Sequence, residues 1–206
     1  MLAFDKSTYQ RGLAAMVLAG SIFVSYVFMQ SMEPSAAVKS NTSRPVRVDV
    51  SEMKIGELKK VTWADRPVYI LRRAPAEVAK LSMLDAELSD PHSVTDPDFK
   101  YIERTFRSIK PEFFVVVGMS THCGCILNYT DDASNWKKSM PGGIFYDACH
   151  VATYDAAGRV LAASAAPGPS KYLPSRVTNL VIPPHRYVSP TEIVIGEALQ
   201  DRGNVH

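Results

Sequence analysis

Two short stretches hold all three cysteines and two of the five histidines of this 206-residue chain: Ser120-Thr121-His122-Cys123-Gly124-Cys125 and Asp147-Ala148-Cys149-His150-Val151-Ala152. About twenty residues lie between them. That segment ends in Pro141-Gly142-Gly143, turn chemistry that lets two loops come back side by side. Three cysteines confined to two loops do not make a disulfide-rich scaffold, so the rest of the chain has to fold on apolar burial. The length suits one sizeable domain with room for an anchor. A formal net charge of +2 gives no electrostatic case for nucleic-acid binding.

The N-terminal part reads as leader, span and tether. Residues 1–11 are a short polar leader. Gly12 to Met29 carries no charge, and with Gln30 to Met32 it is long enough for one bilayer crossing as a helix; a cleaved signal peptide or a buried core helix shares this composition. Lys6 and Arg11 precede the span and Glu33 follows it, which places the N-terminus on the cytoplasmic or matrix side. Residues 33–45 (EPSAAVKSNTSRP) have the composition of a flexible hinge.

From residue 46 to 206 short strands alternate with turn signals, so the expected class is mainly β, an antiparallel head. Val46 to Val50 alternates strictly and predicts a strand with one buried face. Lys60 to Trp63 and Pro67 to Leu71 predict a hairpin turning at Ala64-Asp65-Arg66. Ala74 to Leu88 has helical composition, with Pro75 suited to its first turn and Leu81, Leu84 and Leu88 on one face. Phe113 to Met119 is a short apolar run, read as a buried strand that leads straight into the first loop. Beyond the second loop, Thr153 to Asp155 predicts a strand, Ala157-Gly158 a turn, and Ile182 to Ile195 two further strand-like pieces.

The two loops, with H-x-x-C in the first and C-H in the second, resemble the tip of the Rieske iron–sulfur proteins of ubiquinol–cytochrome c reductase. In that family the loops read C-T-H-x-G-C and C-P-C-H-G-S. The resemblance covers nearly the whole chain: leader, single span, hinge, VTWADRPVYILRRAP as the first hairpin of the head, and both loops, with the tip subdomain at about 112–170. Pro167-Gly168-Pro169 resembles the proline segment over the cluster, and Tyr172 to Val181 is an insertion or reshaped loop. By this resemblance His122 and His150 match the two histidine ligands of a [2Fe–2S] cluster. Cys125 and Cys149 match the disulfide that clamps the loops, worth about 3 kcal/mol for a closed loop of this length. Ser120 and Asp147 stand where the family has its two cluster cysteines, Tyr146 taking the second place if the loop is aligned forwards from Gly142-Gly143. Ala152 stands in place of a serine that bonds to cluster sulfur, Val151 in place of a glycine, and Tyr154 matches a tyrosine that bonds near the cluster. The place of the family's bacterial twin arginine reads Tyr9-Gln10-Arg11-Gly12.

A Rieske centre takes two cysteines on one iron and two histidines on the other. With oxygen at both cysteine places, the preferred expectation is a structural Rieske-like subunit with no functional cluster and no cofactor. Three alternatives stay open. One is an active [2Fe–2S] carrier from ubiquinol to a c-type cytochrome, with Ser120, Asp147 or Cys123 as substitute ligands. Another is a single zinc or iron held by His122, His150 and Asp147. A third is contact of the two histidines with quinone or a partner protein. Cys123 reads as a small apolar filler or as a redox or metal ligand. The resemblance implies a b-type cytochrome, a c-type cytochrome and the other subunits of the dimeric complex as partners, together with membrane lipid. It implies a single-pass location in a mitochondrial or bacterial inner membrane, with the head on the intermembrane-space or periplasmic side. Asp131-Asp132 and Lys137-Lys138 read as solvated turns, and His92, His185 and His206 carry no motif.

Overall fold

A computed structural model describes residues 6–32, 44–94, 102–132, 140–147, 152–162 and 177–197. The hinge from 33 to 43, Cys149, His150, Val151, Lys137-Lys138, Pro167-Gly168-Pro169, the first half of the Tyr172–Val181 segment and His206 lie outside these residues. The chain divides into two compact units, 1–42 and 43–206.

The first unit contains one helix, α1 (Lys6–Ser31). It begins within the expected leader, because Lys6 to Arg11 contains no proline or glycine to stop it. At 1.5 Å per residue it is about 39 Å long. Tyr26, Phe23 and Phe28 are exposed along it. Ser7–Ser31 is long and apolar enough to cross a membrane, and an apolar surface on all sides is what a lipid-facing helix presents.

The second unit is mainly β, as expected. Among the described residues nine strands form three antiparallel sheets. β1 (Val46–Asp49) and β8 (His185–Tyr187) flank β9 (Glu192–Ile195). β2 (Leu58–Trp63) and β4 (Phe113–Val117) flank β3 (Arg66–Arg72). β5 (Asn128–Thr130) and β7 (Thr153–Asp155) flank β6 (Ile144–Tyr146). In the β2–β3 hairpin the turn is Ala64-Asp65, both at positive φ (51° and 56°), a two-residue turn whose twist suits the flanking strands. Arg66, expected in the turn, opposes Trp63 instead.

The middle sheet explains why Phe113 to Val117 is apolar without alternation. Val68, Ile70, Phe113 and Val115 face a core shared with Val48, Val50, Met53, Ile193 and Ile195. Their neighbours Tyr69, Leu71, Phe114 and Val116 face a second core with Phe145, Tyr154, Val160 and Leu161. A strand covered on both faces needs apolar residues at every position.

Ala74 to Leu88 departs from the expected single helix. It forms α2 (Pro75–Val78) and then a 3-10 helix (Leu81–Glu87). Pro75 opens α2, and Leu81, Leu84 and Leu88 are all buried. Arg159 Nη2 donates to the Leu81 carbonyl at 2.7 Å, at the start of the 3-10 helix. Leu88 then leaves the helix to bridge Leu161.

Among the described residues Arg73, Arg107 and Arg159 are fully buried, and they tie the connecting segments of the head together. Arg73 donates to the carbonyls of Phe106, Pro111 and Ala156 and to Ser108 Oγ. Burial pulls its pKa down to about 10, opposed by Asp155, so it is charged at neutral pH. Arg107 donates to the carbonyls of Ala157, Gly158 and Leu180. Arg159 pairs with buried Asp155 at 2.7 Å and with Asp85 at 3.1 Å. The second half of the 172–181 segment is held by the same network: Asn179 takes the Val160 N–H and donates to Asp90 O and Ser93 Oγ.

Arg159→Met is expected to cost about 3–5 kcal/mol, since it strands the Asp155 carboxylate in the interior; urea unfolding of the full chain in detergent reads this directly. His185 gives a pH signature. Its ring is buried with Nδ1 2.8 Å from the Pro183 carbonyl, and burial lowers its pKa below the ordinary 6.5. The neutral ring's contribution is intact above pH 6.5 and is lost as pH falls through the depressed folded value. The urea midpoint is therefore expected to drop on acidification, and His185→Gln to flatten that drop.

Candidate functional site

The first loop grows out of β4 through a close approach. A Cβ on Gly118 would lie 2.6 Å from the Tyr69 ring, so only glycine lets the strand pass over that ring. Tyr69 OH then donates to the Leu127 carbonyl at 2.9 Å. Leu127 N–H returns to Gly118 O, Met119 bridges Ile126, and Ser120 N–H reaches Cys125 O at 2.8 Å. Gly124 closes the turn at φ +69°, its N–H on Ser120 O. The loop is thus a pinned hairpin carrying Ser120 inward and His122 and Cys123 outward.

The second loop leaves β6 at Asp147 and rejoins β7 at Ala152. Asp147 N–H donates to Ala152 O at 3.2 Å, so the base of this loop is closed. Gly143, at φ +81°, sits so near Thr130 O that a side chain has no room there. β6 is thereby packed against β5, directly below the loop.

Side chains from both loops meet. Ser120 Oγ donates to Asp147 Oδ2 at 3.2 Å, and Ser120 and Asp147 are both buried. Tyr154 OH lies 3.2 Å from Ser120 Oγ and 3.0 Å from Thr121 Oγ1, and it accepts the Thr121 N–H. Burial raises the Tyr154 pKa, partly offset by its bonds to Ser120 and Thr121, so the phenol stays protonated. Thr121 Oγ1 also donates to Thr178 O at 2.6 Å, joining the loop to the 177–181 strip. Ala152 N–H reaches Asp147 Oδ2 at 3.3 Å.

Two further groups face the same carboxylate oxygen. His122 Nδ1 is 3.4 Å from Asp147 Oδ2. It is a buried atom without an aligned hydrogen-bond partner, although a quarter of the ring is exposed. Cys123 Sγ is 3.9 Å from the same oxygen and accepts the Cys125 N–H at 3.4 Å. Cys123 is exposed, so the apolar-filler expectation fails.

The structure brings together Ser120, His122, Cys123, Asp147 and Tyr154 from the expected set and adds Thr121. Thr121 and Thr178 carried no sequence signal, since one hydroxyl and one backbone carbonyl form no motif. His150 and Cys149 lie outside the described residues. Asp131-Asp132 is a turn in which Thr130 Oγ1 accepts the Asp132 N–H, and His92 is exposed on a loop. Chemically the arrangement is a buried carboxylate with hydroxyl donors beneath it and an imidazole and a thiol above.

Three comparisons place the chain among known proteins. A ubiquinol-cytochrome c reductase iron-sulfur subunit from Allochromatium vinosum is 37% identical over 201 residues, covering 93% of this chain and 88% of that protein. The subunit of the same name from Blastochloris viridis is 31% identical, covering 89% and 87%. The mitochondrial Rieske subunit of the cytochrome b-c1 complex of Neurospora crassa is 29% identical over 89% of this chain and 67% of its own. A solved chain of a hyperthermophilic respiratory Complex III aligns at a TM-score of 0.41 and 19% identity over 89% of this chain and 98% of its own. No family model matches.

Tyr154→Phe is expected to destabilise the chain by about 1–2 kcal/mol, since it leaves Ser120 and Thr121 short of a buried partner. It should also loosen the first loop selectively, read as faster amide hydrogen exchange at residue 121 with unchanged exchange in β3.

Proposed function

We propose that this chain, which belongs to the family of the ubiquinol–cytochrome c reductase iron–sulfur subunits, is a structural, cluster-free member of that respiratory complex. The observation that carries this reading is the direct hydrogen bond between Ser120 and Asp147. These residues stand at the two places where the family motif has its cluster cysteines. Cluster iron prefers thiolate sulfur, and a Rieske centre takes two cysteine sulfurs on one of its irons. An alcohol and a carboxylate bonded to each other do not fit that requirement. The Tyr154 hydroxyl and the Ala152 amide already engage this pair, so polar contacts between protein groups join the loops.

In this reading α1 anchors the chain in the inner membrane, with lipid around it and the head on the periplasmic or intermembrane-space side. The b-type and c-type cytochromes and the other subunits of the dimer are its partners. Its work is to hold or complete the assembly rather than to pass electrons from ubiquinol.

The test is metal and sulfide content. Full-length protein, purified anaerobically in mild detergent, is expected to contain no stoichiometric acid-labile sulfide. It should also give no electron paramagnetic resonance signal of a reduced histidine-ligated cluster after dithionite. Two irons and two sulfides per chain with that signal would overturn the proposal and assign electron transfer to this chain.

A further inference from the structure

We propose that His122, Cys123 and Asp147 form a binding site for a single zinc-class divalent cation. This rests on the cluster-free reading above, because a cluster and a lone ion would compete for His122. The three ligand atoms, Nδ1, Sγ and a carboxylate oxygen, all lie within 4.8 Å of one another. Zinc bond lengths of about 2.0–2.3 Å in a tetrahedron put neighbouring ligand atoms about 3.3–3.8 Å apart. The observed separations from Asp147 Oδ2 are 3.4 Å to the imidazole and 3.9 Å to the thiol. The two separations from the carboxylate oxygen are therefore close to the edge lengths of a zinc tetrahedron, and the imidazole–thiol edge lies within 4.8 Å.

Three independent features point the same way. His122 Nδ1 is buried and has no hydrogen-bond partner, which is costly for a polar atom unless something else engages it. Four groups crowd Asp147 Oδ2, namely Ser120, Ala152, His122 and Cys123, more than the lone pairs of one oxygen can serve. A cation takes up the imidazole, the thiol and the carboxylate together. Ligand orientation is also provided: the Cys125 N–H is on Sγ, and the Ser120 hydroxyl and Ala152 N–H fix the carboxylate. Cys123 is exposed and His122 partly so, which gives an ion a way in.

One nitrogen, one sulfur and one oxygen select a borderline-soft ion over magnesium or calcium, which take oxygen ligands. On binding, the Cys123 thiol loses its proton to solvent. Thiolate and carboxylate then balance the two charges of the ion, and water completes the tetrahedron. No electron changes hands.

The test uses full-length protein in detergent, purified anaerobically and stripped with a chelator. Cobalt(II) titration is expected to saturate at one ion per chain and to produce a thiolate-to-cobalt charge-transfer band with the visible spectrum of a tetrahedral site. Zinc should displace the cobalt. Cys123→Ser, at an exposed position that the fold does not depend on, is expected to abolish the charge-transfer band and weaken zinc binding at least about tenfold. His122→Gln is expected to weaken it comparably. Absence of binding, or binding that Cys123→Ser leaves unchanged, would overturn the site while leaving the structural role standing. Two irons with two sulfides in the unstripped protein would instead overturn the cluster-free reading beneath it.

Discussion

The head depends on the buried pair of Asp155 and Arg159. Asp155 ends β7, its Oδ1 takes the N–H groups of Ala157 and Arg159, and its Oδ2 takes the guanidinium. One carboxylate thus shapes the tight turn at Gly158 and compensates the arginine that the turn delivers. The other guanidinium hydrogens reach the carbonyls of Leu81 and Pro91 and the Asp85 carboxylate. Desolvating both charges is tolerated because nearly every hydrogen-bonding direction is used. Arg73 and Arg107 extend the same arrangement to the far side of the turn, where carbonyls of Ala156, Ala157 and Gly158 are the acceptors. These guanidiniums supply connections beyond the pairing of strands within each sheet.

Much of the β architecture was legible in the residues. Val46 to Val50 alternates because β1 has one buried face, and the run Phe113 to Val117 is unbroken because both faces of its sheet are covered. The Ala64-Asp65 turn was placed within one residue. The 74–88 stretch has helical composition, and Leu81 and Leu84, three apart, fit an α-helix and a 3-10 helix equally well. Arg159, almost eighty residues away, donates to the Leu81 carbonyl, and no local pattern announces such a partner. The buried arginines were invisible for the same reason: arginine normally marks a surface, and only the carbonyls waiting in the fold reverse that expectation.

The tip shows a parallel division. The resemblance of the loops brought Ser120, His122, Asp147 and Tyr154 to attention as a group, and the described residues place all four together. Cys123 had two readings in the sequence, apolar filler or redox and metal ligand, because one residue in a six-residue loop can face in or out; its thiol lies 3.9 Å from Asp147 Oδ2. Asp147 thereby becomes the centre of the tip. Its carboxylate is held from below by hydroxyls and amides and approached from above by an imidazole and a thiol.

The long reach of the buried guanidiniums also sets the order in which the head can assemble. Arg159 joins groups 74 and 78 residues away, and Arg73 joins a carbonyl 83 residues away. Closing loops of that length is paid for in chain entropy before any of these bonds forms. The β2–β3 hairpin and its pairing with β4 involve shorter separations. The middle sheet therefore closes at a lower entropic cost than the guanidinium network that spans the head.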